Sequence, residues 1–123
     1  MKQYEKKGNT ASGASDNIDR TKAKSRLTRR LRYLADKHGF TYNRVFIRNQ
    51  KTRWGSCSSK NNISLNMKAV LLPQELLDYV ILHELVHTRI KNHSDDFWAV
   101  MNKLVGDGKD MASRLKEYGF GSL

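Results

Sequence analysis

His83-Glu84-Leu85-Val86-His87, with a third histidine at position 93, is the stretch around which this 123-residue chain is organised. Two residues four apart on a helix share a face and lie about 6 Å apart along its axis. Both imidazoles can then reach one tetrahedral Zn²⁺. Glu84 stands beside the first of them, placed to take a proton from a water that the cation activates. The five-residue pattern recurs by chance, so its setting matters. Leu76, Leu77, Tyr79, Val80, Ile81, Leu82, Leu85 and Val86 make the segment apolar nearly all round. The pattern predicts a helix over residues 73–90, with Pro73 in its first turn, where a missing N–H is tolerated. A helix with no polar face is buried, and buried polar groups are costly unless ligated or hydrogen-bonded. Ordinary core histidines are the plain alternative.

The spacing His83–His87–His93 equals that of the HExxHxxGxxH pattern of metzincins, in which the glycine lets the chain swing the last histidine back to the metal. Ile90 stands at the glycine position here. A β-branched residue does not readily take positive φ, whereas asparagine does. The helix is therefore expected to run to about Lys91 and to turn at Asn92. Met101 and Met111 both fall in predicted helices, so neither supplies a Met-turn, and a true metzincin is disfavoured. Asp95 or Asp96 is the nearest carboxylate that could replace His93 as a ligand. Cys57 could serve as a fourth ligand, although a small strand residue is its ordinary reading.

Outward from this centre the chain divides simply. Residues 1–19 offer almost nothing to pack and read as a disordered tail. From residue 20, Leu27, Leu31 and Leu34 recur at helical spacing, while Arg26, Arg29, Arg30 and Arg32 fill the rest of the wheel. This predicts an amphipathic helix over 20–38 with a basic outer face, closed by Gly39. Residues 44–49 read as a strand, and residues 51–57 and 62–66 as a hairpin around the turn chemistry of Ser58-Ser59-Lys60-Asn61-Asn62. Residues 69–72 fit strand or loop. After the central helix, Ser94 can cap another helix with Asp95 and Asp96 at its positive end. Gly106-Asp107-Gly108 breaks it, and a last helix follows over about 109–118.

The net charge is +11, a balance that favours acidic partners, nucleic acid among them, without bearing on the fold. A charge run on a helix is more commonly a solvated face. One cysteine rules out an internal disulfide and suits a reducing, cytoplasmic setting. No apolar run approaches the roughly 18 residues of a membrane span, and no secretory signal is visible at the N-terminus.

Arg53-Trp54-Gly55-Ser56-Cys57-Ser58, then Ile63-Ser64-Leu65-Asn66, Asp78-Tyr79-Val80, the histidine stretch, Asn92-His93-Ser94 and Phe97-Trp98 together resemble the YgjP-like metallopeptidase family. More distantly they are similar to SprT-like and Spartan proteases. The resemblance covers about residues 22–118 and implies a minimal-length member. It implies zinc held by His83, His87 and His93, Glu84 as general base, and a sheet built from the two strand segments above the active-site helix. The expected fold is a small α+β, zincin-like domain over residues 20–123, with a three-stranded sheet packed on the active-site helix and flanking helices. The expected function is zinc-dependent hydrolysis of peptide bonds in a peptide or protein substrate. Arg53, Trp54 and Tyr79 are candidate substrate contacts, with packing the ordinary role of the two aromatics. The rival reading is a nucleic-acid-associated zinc-binding module, or a DNA-associated protease of the SprT type, meeting nucleic acid through the basic helix over 22–32.

Overall fold

The computed structural model describes residues 18–120 and 123. The tail expected over 1–19 lies, as far as residue 17, outside the described residues. Asp19 already belongs to the fold, because its side chain accepts from the Lys22 N–H and caps the first helix. That helix, α1, spans Arg20–His38 and ends at Gly39, whose φ of 75° is the left-handed cap that glycine adopts without strain. Its buried stripe is Ala23, Leu27, Leu31, Leu34 and Ala35. Each leucine so buried contributes about 1.5–3 kcal/mol.

Three short strands follow: β1 (Val45–Arg48), β2 (Gly55–Cys57) and β3 (Ile63–Asn66). The hairpin joins β2 to β3 in antiparallel register, with Cys57 opposite Ile63 and Gly55 opposite Leu65. Asn61 takes φ 64° in its turn, a conformation asparagine tolerates. The strand order is β1-β3-β2, and β1 runs parallel to β3. β3 is central because its Ile63 and Leu65 are wholly buried, whereas β1 alternates between partly buried and exposed positions. Residues 69–72, read as strand or loop, belong instead to a 3₁₀ turn over Met67–Leu71 and the residue after it.

The central helix, α2, spans Gln74–Val86, with Pro73 as its cap residue. Ten of its residues are buried, from Leu76 to Val86 with Asp78 excepted. Asp78 takes both oxygens to Arg30: Nε donates to Oδ1 and Nη2 to Oδ2, each at 2.8 Å. Arg26 donates from Nη1 to the Val70 carbonyl at 3.0 Å. These two arginines therefore tie α1 to the start of α2 and are not simply part of an outer basic face. Of the four arginines read as that face, Arg26, Arg29 and Arg32 are exposed and Arg30 is partly buried; Arg29 and Arg32 are the two exposed ones not engaged in these ties.

The end of α2 departs from expectation. The helix stops at Val86, not near Lys91, and the chain tightens through Thr88 N–H to Leu85 O and Arg89 N–H to Val86 O. These i→i+3 bonds are the 3₁₀ closure that satisfies terminal carbonyls. No positive φ is needed at Asn92: among the described residues, Asn61 and Phe120 are the non-glycine positions that take it. Asn92 instead accepts from the Ser94 N–H through Oδ1, and Ser94 Oγ accepts from the Phe97 N–H to start α3 (Asp95–Val105). The last helix, α4, spans Gly108–Lys116. Among the described residues no helix is long and apolar enough to cross a membrane.

Candidate metal centre

His83, His87 and His93 come together at one point, with a ligand-capable nitrogen of each within 4.8 Å of the others. His93 Nε2 lies 3.1 Å from the Nε2 of His83 and 3.1 Å from that of His87. Nitrogens held 2.0–2.1 Å from a tetrahedral cation stand about 3.3 Å apart, so the spacing suits one ion. The other ring nitrogens decide which atoms face it. His87 Nδ1 lies 2.7 Å from the Ile90 carbonyl, which can only accept, so Nδ1 carries the proton. His83 Nδ1 donates to Glu84 Oε2 at 3.0 Å. Both Nε2 lone pairs therefore aim at His93, and a single N–H there serves two lone pairs poorly. A cation satisfies all three, and the bonds to Ile90 and Glu84 are the outer-shell contacts that orient metal-bound histidines.

Burial separates the members. His83, Glu84 and His87 are buried, whereas His93 is exposed. Phe97, fully buried, forms the floor: its ring stacks on His87 at 4.6 Å and meets His83 and His93 edge-on at 5.1 and 4.9 Å. Desolvation holds the His87 and His93 imidazoles below their ordinary pKa, and mutual repulsion with the neighbouring rings adds to it. Both are thus inclined to the neutral form a metal requires.

Glu84 has one oxygen on His83, and among the described residues Oε1 has no hydrogen-bond partner. Gly55 lies directly against it: a Cβ there would stand 3.2 Å from Glu84 Cγ and 3.1 Å from the Ser64 carbonyl. Any larger residue there would make Glu84 or the neighbouring strand give by a few tenths of an ångström. An isolated glycine in a strand is a sequence sign of such an approach. Asn66 holds the preceding loop, donating from Nδ2 to the carbonyls of Gln50 and Arg53 at 2.9 Å each.

The other sequence candidates fall in different places. Arg53 is exposed and lines a groove of about 190 Å³ with Gly55, Ser56, Cys57, Glu84 and Lys91. Tyr79 is buried 5.9 Å from the His83 ring, and burial, with the Glu84 charge adding, pushes its hydroxyl up to about 12. It lines a second cavity of about 340 Å³ on the other side of His83. Trp54 packs edge-on against Phe120 at 4.6 Å and lines neither space. Cys57 stands outside the histidine cluster; burial pushes its thiol pKa up, against the opposing charge of Lys91. Asp95 and Asp96 stay exposed at the start of α3, and His93 occupies the third place. Lys91 lies outside the residues the sequence pattern marks as a site. It bridges to the hairpin turn, donating to the Ser58 carbonyl at 3.0 Å and to Asn61 Oδ1.

A small mixed sheet over a buried helix that carries a three-histidine site is the arrangement of a metal-dependent hydrolase. The chain belongs to the YgjP-like family, matching its metallopeptidase domain over residues 2–118, and is by that membership an enzyme of the metallopeptidase class. The family implies a divalent metal, and the three histidines form a site able to hold one. No curated protein matches the sequence. Among solved structures the fold is similar to the metallopeptidase zymogen abylysin of Pyrococcus abyssi, at 24% identity and TM-score 0.64, covering 76% of this chain and 98% of that one. It is also similar to the zymogen jannalysin of Methanocaldococcus jannaschii, at 22% identity and TM-score 0.63, covering 74% and 94%. A Wss1 mutant from Saccharomyces cerevisiae aligns at 16% identity and TM-score 0.54, covering 92% and 90%.

Proposed function

We propose that this protein is a zinc-dependent peptidase in which His83, His87 and His93 hold the ion and Glu84 is the general base. The observation that carries the reading is the convergence of three imidazole nitrogens beside a buried carboxylate with one unpartnered oxygen. Three protein ligands are the number of a catalytic site, while structural zinc sites close with four. An all-histidine set suits zinc among the divalent ions. Bound there, zinc supplies Lewis acidity, lowering the pKa of a water and polarising the scissile carbonyl.

The chain's own groups do the rest. Glu84 Oε1 takes the proton of the attacking water, and the carboxylate later delivers it to the leaving amine. The Oε2 bond to His83 Nδ1 holds the carboxylate in place between those transfers. β2 is the sheet edge beside the groove, and its backbone can bind the substrate as an added strand. The single, unpaired cysteine supports a reducing, cytoplasmic setting.

One variant tests the mechanism. Glu84→Gln is nearly isosteric and leaves the ligand set untouched, so zinc content and the thermal melt should hold while turnover falls about 10²–10⁴-fold. A folded, zinc-loaded Glu84→Gln protein that cleaves as fast as the parent would falsify the role of Glu84. Nucleic acid remains a second partner on the strength of Arg29 and Arg32, which stay exposed on a chain of net charge +11. Binding that is absent at low salt in an anisotropy titration removes that partner.

A further inference from the structure

The two spaces flanking the histidines differ in chemistry, but each is bordered by two cationic side chains. The larger, of about 340 Å³, has walls of Tyr79, Trp98, Ala112 and Leu115, and two exposed lysines, Lys109 and Lys116, stand on it. Lys109 lies with Nζ 5.6 Å from the Trp98 ring centre, over its face. The smaller, of about 190 Å³, carries Arg53 and Lys91. Among the described residues lining either space, Glu84 carries the lone acidic side chain, and Leu123, the last residue of the sequence, borders both with its terminal carboxylate. Glu84 is buried and bound to His83, so it offers no anionic face to a passing chain.

We infer that this cleft selects acidic peptide segments that place a bulky apolar side chain next to the metal centre. The inference rests on the peptidase reading and adds its substrate class. The 340 Å³ space adjoins His83 and His93, so a side chain one position from a bond held at the metal falls within its reach. Apolar walls favour a leucine-sized or aromatic group, whose removal from water drives binding. Carboxylates on neighbouring substrate positions meet lysine or arginine on both sides of the centre, whereas a basic segment meets like charges.

The test reads binding first and cleavage second. Labelled peptides of equal length are titrated by anisotropy against zinc-loaded Glu84→Gln protein: acidic with a central leucine, acidic with a central glycine, and basic with a central leucine. The acidic leucine peptide should bind at least about tenfold more tightly than either of the others. Lys109→Glu with Lys116→Glu should abolish the charge preference, while Arg29→Glu with Arg32→Glu, on a helix away from the cleft, should leave it. Ala112→Phe should fill the cavity and remove the leucine-over-glycine preference alone. Added salt should shrink the first preference and spare the second. Equal binding of all three peptides overturns the inference, as does an equal loss in the two charge-reversed proteins, which would reduce it to net charge. The parent enzyme separates the two levels. If it cleaves acidic and basic peptides alike, the selectivity fails and the peptidase reading stands. If the binding preference holds and no peptide is cleaved, the selective cleft stands and the peptidase reading fails.

Discussion

The metal centre draws on two regions built in different ways. His83 and His87 sit on α2, one turn apart, buried, with each Nδ1 hydrogen-bonded to an acceptor of the same helix end. His93 comes from the link between α2 and α3, is exposed, and is aimed by its neighbours: the Asn92 turn, the Ser94 cap and the Phe97 ring below it. The first pair is positioned by helical repeat, the third by the place where the next helix starts. Ligands set by one rigid element should hold an ion without help, while a ligand set by a link should complete the site rather than create it.

The sharpest break of that contrast compares single alanine replacements. His83→Ala or His87→Ala should take zinc from about one per chain to none detectable after dialysis, because neither helical position has a substitute. His93→Ala should keep a weaker site, seen as faster zinc loss to a chelator. Equal, complete loss in all three proteins would mean that the link is as decisive as the helix. The next largest effect falls on the floor shared by both regions. Phe97→Ala should cost about 3–5 kcal/mol of stability, visible in a denaturant titration, since it empties a wholly buried aromatic position.

A smaller change probes the carboxylate beside the helical pair. Gly55→Ala puts a methyl 3.1 Å from the Ser64 carbonyl and 3.2 Å from Glu84 Cγ, so the strand and the carboxylate between them must give by a few tenths of an ångström. Zinc content should hold and kcat should drop about tenfold, as small misplacements of reacting groups do. Unchanged kcat would show that Glu84 has room the packing does not suggest. The mildest effect is on pH. The folded pKa values of His87 and His93 are lowered, chiefly by burial. The unfolded chain therefore protonates first as pH falls below the ordinary histidine value of about 6.5, and stability of the metal-free protein should decline from there until the folded groups protonate too. Melts between neutral and mildly acidic pH should show this decline, reduced in His93→Ala and His87→Ala. A flat profile would place both rings in a wetter setting.

What could be read from the chain alone was what local periodicity and cap chemistry determine. The stripe of Leu27, Leu31 and Leu34, the left-handed stop at Gly39, the Ser94 cap and the hairpin turn ending at Asn62 each depend on residues within a turn or two of one another. The same holds for the pairing of His83 with His87, because a helix repeats its face every three to four residues whatever surrounds it. Tertiary structure decided the rest, through partners distant in sequence. Arg30 became a clamp rather than part of an outer face because Asp78, 48 residues away, meets it. β3 became the central strand, with β1 parallel to it, because that order buries Ile63 and Leu65 completely. The early end of α2 was hidden for a related reason. Residues 87–90 remain compatible with helix by pattern, and it is the docking of α3 through Phe97 under the histidines, together with the bond from His87 to the Ile90 carbonyl, that accompanies the tighter turn bringing His93 home. Short-range energies choose a helix; where it must stop is set by what it has to reach.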